Sequence, residues 1–381
     1  MLNPNNMQCT RLFQFAGTAR YAYNWALSEV KKSYESDKKF LSDYELRKRF
    51  TQFKQKAENM WLYTISNNVC KQAIKDAVNA YKNFFKGLAG FPRYKSRKSS
   101  EPKFYVDPVK IKFTRTHVKL ESIAQSKRKS RQCANWFRLS EHERVPVNVK
   151  YFMPRVSFDS LNWYLTIGIE CAENICLAYN DGEGIDLGVK ELAVCSSGLV
   201  FRNINKSSRV RRLKKKLRRL QRKISRKYNK NKKGERYQKT RNIIESEKQL
   251  LKISRRLTDI RTNHIHQVTS EIIKRKPSFI VLEDLNVKGM MKNRHLARAV
   301  QEQKFAEFYR IMQYKCERHG IKFITADRFY ASSKTCSHCG SIKRDLKLSD
   351  RIYHCEHCGF VIDWDLNAGI NLYQYGKKIN N

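Results

Sequence analysis

Apolar residues recur at three- and four-residue steps through the first quarter of the chain. In TRLFQFAGTARYAYNWALSEVKKSYES, Leu12, Phe15, Tyr23 and Leu27 share one helical stripe, and ISNNVCKQAIKDAVNAYKNFF predicts a second helix from about Ile65 to Phe85 that Gly87 and Gly90 end. From about 104 to 170 the period falls to two. KIKFTRTHVKL predicts a hairpin, and YFMPRVSFDSLNWYLTIGIE predicts two antiparallel strands around a turn near Asp159. Together they imply a small β-barrel or sheet. The polar excursion QSKRKSRQCANW between them fits no regular element.

Beyond residue 180, GIDLGVKELAVCSSGLVFRNI predicts three short strands, the first ending near Asp186. Two long helices follow. Val210, Leu213, Leu217, Leu220, Ile224 and Tyr228 mark the first; Leu250, Ile253, Leu257, Ile260, Val268 and Ile272 mark the second, with His264 in the seam. NKNKKGE separates them, so the expected form is a helical hairpin over 207–275 with a narrow apolar seam. PSFIVLEDLNV then predicts a buried strand ending in acids, followed by a helix from about Gln301 to His319 and the strand IKFITAD. FVIDWDLNAGINLYQYG supplies a last helix beginning near Asp365.

Charge gives this pattern a partner. The 381 residues include 78 Lys or Arg against 35 Asp or Glu, a formal net charge of +43. Such a surplus repels itself unless a polyanion neutralises it, and small metabolites need only a few cations, which points to nucleic acid. Two segments concentrate the charge. In GFPRYKSRKSS, Arg93, Lys95, Arg97 and Lys98 surround Phe91 and Tyr94, a mixture suited to phosphates and stacked bases, although a solvated linker has the same composition. From Arg209 to Lys233, fifteen of 25 residues are Lys or Arg with almost no acidic partners. Arg211, Lys215, Arg218, Arg219 and Arg222 are therefore candidate backbone contacts, as opposed to a merely solvated face. No apolar run is of membrane-spanning length and the N-terminus lacks a secretion pattern, so a soluble, intracellular protein is expected.

Two constellations carry chemistry. Cys336, Cys339, Cys355 and Cys358 form C-x2-C-x15-C-x2-C, with Gly340 and Gly359 following the pairs. Two such knuckles complete a tetrahedral S4 site, so a structural Zn²⁺ is expected within a module over 332–360. His338, His354 and His357 fall inside the knuckles but find the shell full. Cys9, Cys70, Cys133, Cys171, Cys176, Cys195 and Cys316 are expected as core thiols. The second constellation is dispersed: Asp186 in GIDLG, Glu283 at the end of FIVLE, and Asp365 at the start of the last helix. Carboxylates inside apolar runs are costly unless compensated. Converging at one sheet edge, they would suit Mg²⁺, whose ions activate water and stabilise a leaving 3′ oxygen in phosphodiester hydrolysis. Singly, each also reads as a strand-end cap, an ion pair or a helix cap. Asp284 is expected on the opposite face from Glu283, whereas Asp363 either shares the face of Asp365 or substitutes for it.

GIDLG, VLEDLNVKGM, RFYASSKTCSHCG, YHCEHCG and DWDLNAGINL, together with FAGTARYAYNWAL and GFPRYKSRK, resemble the TnpB family of transposon-encoded proteins, related to compact type V CRISPR effectors. The resemblance implies a multidomain α+β protein: a helical recognition lobe over 1–103, a wedge-like β-barrel over 104–178, and an RNase H-like (RuvC-like) nuclease domain over 179–381 with an inserted zinc ribbon. It further implies an RNA-guided DNA endonuclease of the prokaryotic cytoplasm, with a guide RNA and target DNA beside a short adjacent motif as partners. Asp186, Glu283 and Asp365 would be its triad, binding Mg²⁺ as two ions, and the four cysteines would hold Zn²⁺. Three features depart from the family pattern. The first barrel strand is mostly missing before Asn3-Pro4. Trp364 stands where an arginine is usual, and Gly369 where an alanine is usual. The alternatives are an RNA-guided DNA-binding regulator, which would have lost an acid, a CRISPR-associated effector, and a transposase acting without a guide.

Overall fold

The computed structural model describes residues 1–121, 135–147, 149–170, 181–343 and 351–380, and the chain divides into two compact units, Met1–Cys171 and Ala172–Asn381. Most of QSKRKSRQCANW, and Cys133, Cys171 and Cys176, lie outside the described residues.

The first unit begins with β1 (Leu2–Asn3), α1 (Asn6–Asp37), α2 (Asp43–Gln55), a 3₁₀ segment (Ala57–Thr64) and α3 (Asn67–Phe85). Asn5 starts α1 with a capping box: its side chain accepts from Gln8 N–H while Gln8 Oε1 accepts from Asn5 N–H. The strands are β2 (Lys103–Tyr105), β3 (Lys112–Phe113), β4 (His117–Lys119), β5 (Trp136–Leu139), β6 (Tyr151–Phe158) and β7 (Trp163–Ile169). They form an antiparallel sheet in the order β2-β6-β7-β1-β5-β4-β3. Among the described residues no pairing joins β2 to β3, so this is a sheet with two edges rather than a closed barrel.

The first strand, expected to be mostly missing, is two residues long. Leu2 pairs with both Leu139 and Trp163 and is buried, joining the two halves of the sheet. One hydrophobic core unites helices and sheet, running from Leu12, Phe15 and Leu27 through Ile74 and Val78 to Phe104, Phe137 and Trp163.

The second unit contains β8 (Glu183–Asp186), β9 (Glu191–Cys195), β10 (Val200–Arg202), α4 (Ser208–Lys230), β11 (Lys232–Lys233), β12 (Arg236–Tyr237) and α5 (Arg241–Lys274). It continues with β13 (Phe279–Glu283), α6 (Val287–Met290), α7 (Ala297–Gln303), α8 (Phe305–His319), β14 (Lys322–Ala326), β15 (Ile352–His354), β16 (Val361–Asp363) and α9 (Trp364–Asn380). The helix expected from Gln301 is broken at Lys304, whose φ of 57° interrupts it between α7 and α8. Among the described residues no helix is long and apolar enough to cross a membrane.

The main sheet runs β10-β9-β8-β13-β14, with β8–β10 antiparallel and β13 parallel to both β8 and β14. Parallel neighbours need crossovers, supplied by the α4–α5 hairpin and by α8. Alternation along the strands sorts the two faces. Ile185, Ile280 and Leu282 meet Val268 and Ile272 of α5 and Phe308 and Met312 of α8. Phe279 and Val281 pack with Leu372 of α9 on the other face. The N-terminal half of α5 instead seals a narrow seam with α4, through Val210, Leu213, Leu217, Ile253 and Leu257. His264, further along α5, has its Nε2 2.9 Å from the Arg202 carbonyl oxygen of β10.

Candidate active site and zinc centre

The two-residue period of a strand fixes where the acids go. If Ile185 faces α5 and α8, then Gly184 and Asp186 face α9; if Ile280 and Leu282 do, Glu283 faces α9 with Phe279 and Val281. Leu282 pairs with Ile185, so Asp186 and Glu283 close adjacent strands one step further on. Asp365 lies in the first turn of α9, which covers that face. The electrostatics register the convergence. Burial lifts the Asp186 carboxyl well above the usual aspartate range, and the charges of Glu283, Asp365 and Asp363 lift it further. Burial also raises Glu283, with a hydrogen bond from Ser332 pulling the other way. Asp365 is raised by burial and then by Asp363, while Arg351 and Lys190 pull it back.

The neighbouring acids separate. Asp363 Oδ1 accepts from Asp365 N–H at 3.0 Å and Leu366 N–H at 3.1 Å, so it caps α9. Asp284 lies past the end of β13 and pairs with Arg328. Arg351 and Lys190 stand near enough to Asp365, the neighbour of Trp364, to act on its charge.

Glycines allow α9 to lie this close. A Cβ on Gly184 would sit 2.2 Å from the Gly369 carbonyl oxygen and 2.3 Å from Tyr373 N. One on Gly369 would meet Ser196 N at 3.2 Å and Val194 O at 3.3 Å. The missing alanine methyl at 369 thus marks a backbone crossing as well as a weak helix position. Gly184→Ala is expected to push α9 off the sheet, with a loss of about 3 kcal/mol in urea denaturation. Cutting should fall with it; a variant with native stability would mean that α9 does not rest on Gly184.

The cysteine module is geometrically ready for a metal. Cys336 Sγ and Cys358 Sγ are 3.7 Å apart, Cys339 Sγ and Cys355 Sγ 3.6 Å, and all four lie within 4.8 Å of one another. A tetrahedral Zn²⁺ with bonds of about 2.3 Å demands sulfur–sulfur edges of about 3.8 Å. Among the described residues this is the only group bringing three or more such ligand atoms so close. Gly340 (φ 78°) and Gly359 (φ 70°) turn the chain back after each pair, and their N–H groups bond the Cys336 and Cys355 carbonyls. β15 and β16 pair antiparallel over a small core of Tyr353, Phe360 and Ile362. His338 stacks on Phe360 and is not a ligand.

The module is bound to the acids by side chains that the sequence did not single out. Ser332 donates to Glu283. Asn367 Nδ2 donates to the Thr335 carbonyl at 2.8 Å and its Oδ1 accepts from Ser337 N–H at 3.0 Å. Asn371 Nδ2 donates to the Ser332 and Thr335 carbonyls. Asn367 and Asn371 are both buried, one helical turn apart. Two asparagines at i and i+4 on an apolar helix face are the signal that was available, because buried amides must find partners.

The candidate basic residues divide. Arg211, Lys215, Arg218, Arg219 and Arg222 are exposed on α4, away from its seam. Arg93, Tyr94, Arg97 and Lys98 are exposed as well. Lys95 is different: Nζ lies 3.5 Å from the Tyr23 ring centroid, and its backbone is clamped at both ends by Asn24. Burial pulls its pKa down, with Asp76 opposing. Asp76 is itself held by a two-pronged Arg155 pair at 2.6 and 2.9 Å. Lys95 anchors the loop while its neighbours stay free. Lys95, Arg97 and Lys98, with Arg20, Lys103 and Arg155, line a cleft of about 1160 Å³ in the first unit.

Comparison with known proteins follows the same outline. A helix-turn-helix domain model of OrfB from IS605 matches residues 1–39, an OrfB IS605 model described as "Probable transposase" matches 180–294, and a Cas12f1-like TNB domain model matches 305–372. A Streptomyces pristinaespiralis protein named "Putative RNA-guided DNA endonuclease" is 27% identical over 98% of this chain and 87% of its own. Escherichia coli InsQ, of the same description, is 27% identical over 99% of this chain and 91% of its own. The Cas12f1 chain of a solved Cas12f1–sgRNA–target DNA complex shares the fold at a TM-score of 0.59 and 15% identity, over 96% of this chain and 82% of that one. Homology to TnpB/IS605 proteins and to Cas12f-type RNA-guided nucleases therefore extends through both units of the chain.

Proposed function

We propose that this protein is an RNA-guided DNA endonuclease that hydrolyses guide-matched DNA at Asp186, Glu283 and Asp365. The observation that carries the chemistry is the meeting of three carboxylates on the α9 face of one sheet, each with a raised pKa. Acids crowded in this way suit divalent cations. A RuvC-like assignment of the second unit accords with the mixed sheet and with acids from two central strands and a covering helix. The helices of the first unit would serve as recognition lobe, and its sheet, to which Leu2–Asn3 contributes a strand, as wedge.

The carboxylates would hold Mg²⁺, which supplies activation of the attacking water and stabilisation of the leaving 3′ oxygen. The chain's own part is positioning. Ser332 orients Glu283, Asp363 caps the helix that delivers Asp365, and the glycine crossing sets the depth of α9. The four cysteines hold Zn²⁺ in a structural role. Arg97 and Lys98 in the first unit, and Arg211, Lys215, Arg218, Arg219 and Arg222 in the second, would meet guide and target backbones, with base pairing supplying specificity.

The deciding experiment is recovery and sequencing of RNA that co-purifies with the protein, followed by Mg²⁺-dependent cutting of DNA matched to it. One dominant structured RNA with matched cutting is the expected result; random fragments, or strand transfer without RNA, would refute it. The charge adds a quantitative expectation. With at least six phosphate contacts, affinity should fall by about a thousandfold or more between 50 and 200 mM salt. Arg218→Ala combined with Arg222→Ala should flatten that slope by about two units in a log–log titration.

A further inference from the structure

Beside the triad lies a cavity of about 460 Å³ that the proposed chemistry leaves unused. Its walls include Glu283 itself and Leu187, the residue following Asp186, so it touches one of the three acids and the chain next to a second. Most of the remaining lining is apolar: Leu285, Val287, Ala306 and Tyr309 over a floor of buried Phe305. Tyr309 is fixed rather than floppy. Its hydroxyl lies 2.5 Å from Thr325 Oγ1, and its ring meets Phe323 edge-on at 5.0 Å. Besides Glu283, the polar lining is the Asp284–Arg328 pair, exposed Lys288 and Asn286.

From this geometry we infer that the cavity receives one unpaired nucleobase of the strand being cut, next to the scissile phosphate. This rests on the nuclease reading and goes beyond it by naming a subsite. The volume is that of a pocket for one small ligand, typically about 300–1,000 Å³, and excludes a duplex. An apolar wall with a held aromatic ring suits the face of a base, whereas Lys288 and Arg328 suit the flanking backbone. Stacking on such a wall is tolerant of base identity because every base has a π-face, although Asn286 adds an amide to the lining. Drawing a base out of the stack would fix the register of the strand over the acids and favour DNA already unwound.

The test uses single-stranded DNA carrying 2-aminopurine at successive positions, bound to full-length Asp186→Asn protein, and an abasic scan of the same DNA with active protein. One position should show several-fold fluorescence quenching, lost in Ala306→Trp, which fills the cavity, and kept in Ala306→Ser. An abasic site there should slow cutting by about tenfold in the parent protein and add no further slowing to Ala306→Trp. Leu285→Trp fills the cavity from the other wall and should behave alike, which guards against a folding defect in one variant. Uniform quenching at all positions, or quenching that survives both tryptophans, overturns the subsite. Position-specific quenching in a protein that never cuts DNA upholds the subsite and refutes the nuclease reading alone.

Discussion

Replacing Asp186 with asparagine is expected to lower the single-turnover cutting rate by at least about a thousandfold while leaving guide and target affinity within about twofold. Asparagine keeps the volume and can still accept a hydrogen bond, so the β8–β13 edge should stay intact. What it lacks is charge for divalent cations. The same substitution carries a second, independent signature. The folded carboxyl has a pKa above its ordinary value of 3.8, chiefly through burial and then through Glu283 and Asp365. As pH rises past about 4, the unfolded chain gives up this proton while the folded one retains it, so the metal-free protein loses stability with rising pH until Asp186 itself ionises. Asp186→Asn should remove the Asp186 share of that dependence, leaving the share of Glu283 and Asp365, and raise the melting temperature of metal-free protein at neutral pH, by on the order of 2–4 °C for each kcal/mol relieved. Added Mg²⁺ should stabilise the parent and not the variant. A variant that cuts at the parental rate ends the triad assignment; one that neither cuts nor binds its guide shows a structural role instead.

Much of this site could be read in the chain because its parts announce themselves locally. The cysteine spacing is complete within 23 residues, and the acids stand in apolar runs where a charge needs a reason. Long periodic elements were equally plain: the seam of α4 and α5 follows the apolar steps through Leu213, Leu217, Ile253 and Leu257. What escaped was set by distant neighbours. A strand of two residues has no period, so Leu2–Asn3 joining β5 to β7 left no trace. Lys95 looked like its exposed neighbours until Tyr23, Asn24 and Asp76 enclosed it. Gly369 reads alone as a helix-weakening residue, and only the approach of β9 and Gly184 shows what its missing Cβ permits. Ser332 carries no signal at all without β13 beside it.

That last contact ties the cysteine ribbon to Glu283, and removing the metal is the second large effect expected. β16 ends at Asp363 and α9 starts at Trp364, so the ribbon's last strand feeds directly into the helix that carries Asp365. The ribbon has only a minimal core, Tyr353, Phe360 and Ile362 around the cysteines. A module of that size depends on its metal, whose binding contributes about 10–16 kcal/mol in comparable zinc peptides. Without it, the pull of Asn367 and Asn371 on Thr335, the Asp363 cap and the Ser332 bond to Glu283 should all loosen together. The protein should contain one zinc per chain by elemental analysis. Stripping it with a strong chelator, or Cys355→Ser, should cut activity by at least about a hundredfold. Far-UV dichroism should change little, because α4 and α5 lie outside the ribbon and hold each other through their own seam. Ser332→Ala separates the two effects: zinc stays bound, and cutting falls by about tenfold through Glu283 alone. If zinc-free protein cuts DNA at full rate, the ribbon does not position the acids, and the hydrogen bonds that join it to α9 and β13 have no catalytic consequence.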